Sequence, residues 1–280
     1  MKLLFSSGTF FFMTGKARKY SNTAYALQDG GCQGKCAFCS QSTLSSAPKN
    51  FLSRVKWYSA NLEDFSEIIS SNFMRFCLQT VYKPNFDEEA LEIMKTVKTR
   101  GKSITTVPVD ELKRFLNVGV DYLGVGLDTT ESMFPKVGKP FSFSTYMEFI
   151  REGVKVFGRG KVFVHLVFGL GESLDEFLKL MQEIYNIGAE VALFAFTPVK
   201  GTPMENSSPP SLHQYRLVQT VRYYLSRGIP LSKLMRNGEL TFPSDSIHYL
   251  TSGCPTCDRP FYNESPTAPI PYNFPVVIKD

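Results

Sequence analysis

Three cysteines, Cys32, Cys36 and Cys39, lie within the run Gly31-Cys32-Gln33-Gly34-Lys35-Cys36-Ala37-Phe38-Cys39. Their spacing is C-x3-C-x2-C. Thiolates this close can wrap one cubane iron–sulfur cluster and ligate three of its four irons, which leaves one iron open to a ligand that is not protein. Gly30, Gly31 and Gly34 free the backbone to wrap. The other three cysteines are Cys77 and a C-x2-C pair, Cys254 and Cys257. In a small secreted chain six cysteines would imply disulfides. A chain of 280 residues can bury an ample core, so these spacings read as metal ligands and imply a reducing, cytoplasmic compartment. The competing reading is a non-catalytic zinc-stapled module, with Cys36 and Cys39 sharing a zinc with Cys254 and Cys257. That arrangement leaves Cys32 and Cys77 without work.

A strand–helix rhythm positions these thiols. Strand-like runs occur at 23–27, 73–78, 103–107, 122–127, 162–168, 191–196 and 230–235. Helical periodicity occupies 87–99, with Asp87 as its N-cap, and 110–118, 143–157, 174–187 and 212–227. Strands alternating with helices imply a parallel sheet, so the fold class is α/β, a partial or complete (β/α) TIM-like barrel. A doubly wound sheet is the runner-up. The C-x3-C-x2-C loop follows the first strand, at the face where barrel active sites form. Residues 1–22 read as an N-terminal extension, with a strand or helix over Met1–Met13. Residues 23–242 read as the barrel. After Pro243 the chain turns Pro- and Tyr-rich, and 243–280 reads as an irregular C-terminal extension held by its own cysteine pair.

Composition narrows the class. Apolar residues make up 43% and charged residues 20%, which excludes a disordered or fibrous chain. No apolar run is long enough to span a membrane. The net charge of +5 is too mild to argue for nucleic acid. Lys16, Arg18 and Lys19 form one short basic cluster, read as a solvated surface.

With Phe38 before the last cysteine and the loop after the first strand, the motif resembles that of the radical S-adenosylmethionine (SAM) superfamily. The resemblance implies a 4Fe–4S cluster on Cys32, Cys36 and Cys39, whose open iron chelates SAM, and a 5′-deoxyadenosyl radical that abstracts hydrogen from substrate. Further segments resemble the biotin synthase branch. Arg75-Phe76-Cys77 resembles its second strand, whose cysteine ligates an auxiliary cluster. Tyr122–Asp128 resembles its fourth strand, which assigns Asp128 to the SAM ribose; from the residues alone, Asp128 is equally a helix N-cap. Leu166–Glu172 resembles its fifth-strand segment, which sets Gly169, Gly171 and Glu172 against the SAM adenosine; otherwise they are turn residues with an acid in the first helical turn. Lys200-Gly201-Thr202-Pro203 resembles the close of its sixth strand. His165, inside an apolar strand, reads as a barrel residue rather than a ligand.

Departures from that pattern refine the expectation. Two further auxiliary-cluster cysteines of biotin synthase are absent here; Ile104, Thr105 and Phe163 occupy those neighbourhoods. Cys77, Cys254 and Cys257 remain to hold a second iron–sulfur cluster, with Arg236 as a candidate fourth ligand. Where biotin synthase places asparagines on its substrate's polar ring, this chain has Gly124, Gly126 and Phe194. Unpaired buried polar groups are costly, so the Ala192–Phe196 run suits an alkyl chain. The segment Ser252–Glu264 resembles the C-terminal C-x2-C segment of bipartite lipoyl synthases. That resemblance implies sulfur insertion into a carrier-bound octanoyl chain. Its implied partners are an octanoylated lipoyl carrier domain or octanoyl-lysyl protein, a second radical SAM subunit, and an electron donor such as ferredoxin or flavodoxin. Biotin-type sulfur insertion, or another radical SAM reaction such as methylation, cyclisation or a mutase step, is the alternative.

Overall fold

Six strands, buried along most of their length, stand side by side in the sheet. They are β2 (Thr23–Gln28), β5 (Arg75–Gln79), β6 (Gly101–Thr106), β7 (Tyr122–Asp128), β8 (Val162–Phe168) and β9 (Glu190–Ala195), all mutually parallel. β1 (Lys2–Ser6) precedes them, β3 (Phe51–Leu52) and β4 (Val55–Asn61) follow β2, and these three extend the sheet on the β2 side, each antiparallel to its neighbour. The order β3-β4-β1-β2-β5-β6-β7-β8-β9 runs through without closing, so the barrel is partial. This computed structural model describes residues 1–259 and 269–275. Pro260–Glu264 of the tail motif lie outside the described residues.

Helices α1 (Ser7–Met13), α2 (Leu62–Asn72), α3 (Phe86–Thr96), α4 (Lys113–Asn117), α5 (Phe134–Val137), α6 (Phe143–Phe157), α7 (Leu174–Ile187), α8 (Leu212–Leu225) and α9 (Leu231–Leu234) connect the strands. The best-defined helices carry explicit start and stop signals. Ser142 accepts the Thr145 N–H at 3.1 Å to open α6. Ser173 and Glu176 form a reciprocal capping box at α7, which ends at Gly188 in the left-handed region. No helix among the described residues is long and apolar enough to cross a membrane.

Three expectations are corrected. The run 230–235 is not a seventh parallel strand. Pro230 opens the short helix α9, and Met235–Arg236 (β10) pairs only with Glu239–Leu240 (β11) in a small hairpin. A short apolar run carries no period that tells strand from helix. Asp87 is not an N-cap: α3 starts one residue earlier, after Asn85 in the left-handed region. Asp87, Glu88 and Glu89 instead sit in the first turn, where they oppose the helix dipole. Met1–Met13 is neither strand nor helix alone but β1 followed by α1.

The tail turns inward and lies against the N-terminal ends of the parallel strands. Thr23 Oγ1 donates to the Thr256 carbonyl at 2.9 Å, and Arg75 Nε to the Pro255 carbonyl at 3.1 Å. On the far side of the half-barrel, the Leu193 N–H donates to Ser252 Oγ at 2.8 Å. Arg75 is itself held by Asp121, with Nη2 3.0 Å from Oδ2, and lies over the Tyr122 ring. Gly101 leaves room for it, since a Cβ there would stand 2.6 Å from the guanidinium. Replacing Arg75 with Met strands Asp121 and frees the Pro255 carbonyl. The expected outcome is a loss of about 2 kcal/mol in urea unfolding, less than for a fully buried pair because Asp121 is partly exposed. Proteolytic cleavage of the tail should accelerate in parallel.

Candidate active site

The loop after β2 presents the first thiol trio, and several backbone contacts shape it. The Gly34 N–H donates to Cys32 Sγ at 3.2 Å, and the Cys39 N–H to the Cys36 carbonyl at 3.1 Å. Gly30 and Gly31 adopt positive φ, which a side chain would strain. The Ala37 N–H donates to the Val137 carbonyl at 2.8 Å, docking the loop on α5. Lys49 ties off the returning chain by donating to the carbonyls of Ser40, Ser42 and Ser45 at 3.0, 2.6 and 3.1 Å. Gly201 (φ +86°) packs where a Cβ would meet the Ala47 nitrogen at 2.8 Å, so the loop after β9 braces the same segment.

Cys32, Cys36, Cys39 and Phe38 border one cavity of about 220 Å³ inside the half-barrel. Each of the six cysteines is half-buried. Burial nonetheless pushes the Cys36 thiol up against the Lys139 charge, and burial and then the Cys36 thiol bring Cys39 up to about 12. Without a metal, Cys36 and Cys39 are held as thiols at neutral pH.

Asp128 also borders the cavity, and a β-bulge puts it there. Gly126 pairs with His165 and Asp128 with Leu166, so Leu127 is the extra residue and Asp128 adopts φ +71°. Its carboxylate pairs with Lys139, which also donates to the Gly126 carbonyl at 2.6 Å. Burial alone would lower the Lys139 ammonium, but Asp128 and then Cys36 raise it above its ordinary value. The pair leaves no N-cap role for Asp128; the next short helix is entered from Thr130. Sequence reasoning missed Lys139, which sits in a loop with no local signal.

Gly169, Gly171 and Glu172 do not border this cavity. Glu172 Oε1 instead accepts the Gly169 N–H at 2.6 Å, closing the turn after β8. Cβ atoms at the two glycines would meet Pro210 at 2.8 Å and Met133 at 3.1 Å. Their freedom serves close packing of this chain. His165 does border the cavity, its ring 5.3 Å from that of Phe194. Burial holds it well below the usual imidazole range, helped by the Arg259 and Lys139 charges.

The second thiol trio is assembled from distant segments. Register places Cys77 in the inward row Tyr25–Cys77–Ser103–Tyr122. The tail brings Cys254 and Cys257 to it. Burial pushes Cys254 well up, with Cys77 and Cys257 next among the causes. Cys77 is likewise raised by burial and then by Cys257. The zinc alternative therefore loses its donor set, because the tail pair associates with Cys77 and not with Cys36 and Cys39. Among the described residues, no three His, Cys, Asp or Glu side chains converge tightly enough for a single metal ion.

Arg259, unremarked in the sequence, lies at the centre of this second group. Its Nε donates to Cys257 Sγ at 2.9 Å, and its guanidinium lies 4.2 Å over the Phe194 ring. Gln79 Nε2 donates to Cys77 Sγ at 3.2 Å. Arg236 is exposed on the β10–β11 hairpin, opposite Glu239. The cavity wall is also less apolar than expected: Gln79, Thr105, Thr106 and Arg259 join Phe194, Val167 and Phe196.

Comparison with known proteins identifies the family. Residues 30–184, more than half of the chain, match the Radical SAM superfamily. The chain belongs to the radical SAM superfamily. Within it the similarity runs to biotin synthases. That of Brucella anthropi is 26% identical over 197 residues, covering 65% of this chain and 56% of that protein. That of Francisella tularensis subsp. holarctica is 26% identical over 215 residues, covering 70% and 66%. The chain thus spans between about half and two thirds of these relatives' length. In fold it resembles methylornithine synthase (TM-score 0.53, 16% identity, 70% of this chain and 60% of that one). It also resembles the FeFe-hydrogenase maturase HydG (TM-score 0.55, 12% identity, 73% and 50%).

The superfamily implies a 4Fe–4S cluster and SAM. Cys32, Cys36 and Cys39 fit the cluster: three soft donors from one loop, within electrostatic reach of one another, facing open space beside an acid–base pair. Because the buried thiols must ionise to bind iron, cluster loading should release protons and strengthen between about pH 7 and 9. A pH-stat titration during anaerobic reconstitution measures this, and Cys36→Ala should reduce the protons released.

Proposed function

We propose that this chain is a radical SAM sulfurtransferase that inserts sulfur into an unactivated C–H bond of a carrier-bound octanoyl chain. It acts in a reducing cytoplasm with a second radical SAM subunit and an electron donor of the ferredoxin or flavodoxin type. One observation carries the reading: a second buried thiol trio, Cys77 with Cys254 and Cys257, stands inside the same half-barrel as the first. A radical SAM reaction that needs only SAM cleavage has no use for it. Three soft donors with Arg259 beside them suit a second iron–sulfur cluster.

When bound, the first cluster and SAM supply a hydrogen-abstracting radical, and the second cluster supplies sulfur. The chain's own residues do the rest. Cys32, Cys36 and Cys39 hold the first cluster and Cys77, Cys254 and Cys257 the second. Asp128, re-aimed by the bulge and charge-balanced by Lys139, offers carboxylate oxygens to the ribose hydroxyls of SAM. Phe38 packs beside Val167 at the cavity wall. Phe194 and Val167 give an alkyl chain an apolar wall, and Gly124 and Gly126 bring no polar side chain to the strand positions that a ureido ring would need. Gln79 and Thr105 on the same wall favour the second reading, biotin-type insertion next to a polar ring.

Anaerobic incubation with SAM, reductant and an octanoyl-lysyl peptide should add sulfur to the peptide by mass spectrometry. Gain of sulfur on a desthiobiotin-type substrate alone would move the assignment to the second reading. Reconstituted protein should hold about eight irons per chain, against about four for a radical SAM enzyme with one cluster. Cys77→Ala, Cys254→Ala or Cys257→Ala should spare SAM cleavage, abolish thiolated product and lower the iron count by about half. Thiolated product from any of these variants would refute the sulfur-donor role. Asp128→Asn should raise the SAM Kd about tenfold, the cost of one charge-assisted hydrogen bond, measured by equilibrium binding.

A further inference from the structure

A second and larger cavity, of about 310 Å³, lies under α1 and β4 at the open side of the half-barrel. It is not part of the cluster cavity, but the two share Gln79 and Arg259. Those two side chains are the ones that donate to Cys77 Sγ and Cys257 Sγ, at 3.2 and 2.9 Å. A group reaching their junction therefore stands between the two thiol sets. The larger cavity is lined on one side by Phe12, Trp57 and Phe73, an apolar surface suited to a hydrocarbon chain. Its other side is basic, with Lys19, Arg54 and Lys56.

Of the basic cluster noted in the sequence, Lys19 lines this mouth, and Lys16 and Arg18 precede it in the chain. Lys16, Arg18 and Lys19 are exposed on the segment that leaves α1, and Lys19 is fixed there by donating to the Asn72 carbonyl at 2.9 Å. Among the described residues, the one carboxylate lining the cavity, Asp258, is already taken up by Tyr25 Oη and Ser21 Oγ at 2.8 and 3.0 Å. The mouth is thus a positive rim around an apolar slot that leads to the sulfur-bearing residues. Charge of one sign around a cleft speeds association with the opposite sign and sets orientation.

We infer that this cavity is the port through which an acyl-lysyl arm enters, and that Lys16, Arg18, Lys19, Arg54 and Lys56 dock the acidic domain that carries the arm. The inference rests on the sulfur-insertion reading for the identity of the acyl group. The domain's acidic surface meets the rim, the arm passes between Trp57 and Phe12, and the chain end arrives at Gln79 and Arg259. SAM, held near Asp128 and Lys139, leaves the larger cavity free for substrate.

The test is binding, which needs no turnover. A fluorescently labelled, octanoylated acidic lipoyl carrier domain is titrated with the reconstituted full chain and followed by anisotropy. Affinity should fall at least tenfold as salt rises from about 50 to about 300 mM, because the rim charges are solvent-exposed and screened. The K16E/R18E/K19E variant, altered only at exposed positions, should bind at least tenfold more weakly. A Val55→Trp variant, which fills the slot from β4, should still bind the carrier but leave its octanoyl group more solvent-exposed to an acyl-chain fluorophore. Equal binding by the charge-reversed variant and the wild type, or no binding by the wild type, overturns the docking face. Sulfur gain on a small octanoyl-lysyl peptide is scored separately. If the peptide is thiolated and carrier binding ignores the charge reversal, the port is wrong and the chemistry stands. If the carrier binds through the rim and the peptide never gains sulfur, the chemistry is wrong and the docking face stands.

Discussion

Buried thiols set the constraint on which this structure depends. A thiol inside a protein resists ionisation, yet only the thiolate binds iron or zinc. Six half-buried cysteines in two trios are therefore an unfavourable arrangement for ionised sulfur unless a soft metal compensates it. The fold spends specific contacts to keep them in place all the same. Lys49 gathers three carbonyls behind the first trio, and Gly34 directs an N–H at Cys32. Around the second trio, Arg75 and Arg259 bring positive charge that offsets developing thiolates at Cys254. Both arginines are fixed by other partners as well, Arg75 by Asp121 and the Pro255 carbonyl and Arg259 by the Phe194 ring.

Parallel register converts that local requirement into a shared chamber. Inward positions of neighbouring strands form rows, and the row Tyr25–Cys77–Ser103–Tyr122 lies nearer the strand starts than the cluster loop. The next row, Leu27–Gln79–Thr105–Gly124–Phe163, lies between. A cluster on the loop after β2 and another on Cys77 would thus face each other across one layer of side chains. That middle layer contains Gln79 and Gly124, and the glycine has no side chain to block it. A Cβ at Gly124 would stand 2.4 Å from Thr105 Oγ1, so Thr105 already takes the space that a side chain there would need.

Legibility in the sequence followed the range of each interaction. Val162–Phe168, Phe143–Phe157 and Leu174–Ile187 are seen at the bounds read from sequence, because apolar period and local caps such as Ser142 and Ser173 fix them from within. The C-x3-C-x2-C loop was legible for the same reason: all its ligands are neighbours. Arg259 was not. It meets Phe194 and the residues around Cys77 only because the tail folds back under strands far away in sequence, and nothing in its flanks announces that. Lys139 likewise becomes meaningful only once the bulge at Leu127 turns Asp128 toward it. The strand β4 and helix α2 went unread because Val55–Asn61 alternates weakly and pairs with β1, an edge that no local pattern predicts.

The same distinction bears on why the tail carries cysteines at all. A strand residue can reach the chamber only at the inward position of its row, and the positions opposite Cys77 are held by Tyr25 and Ser103. A tail laid across the strand starts has no such restriction. Thr256, at φ +68°, turns the chain between the two tail cysteines, and Asp258 anchors it through Tyr25. Carrying two of the thiols on a tail leaves the inward positions of β6 and β8 to Thr105 and Phe163. It also makes assembly of the second trio conditional on docking of the tail. Since Thr23 and Tyr25 of β2 do that docking, with Ser21 just before it, the strand that precedes the first cluster loop also secures the second thiol set.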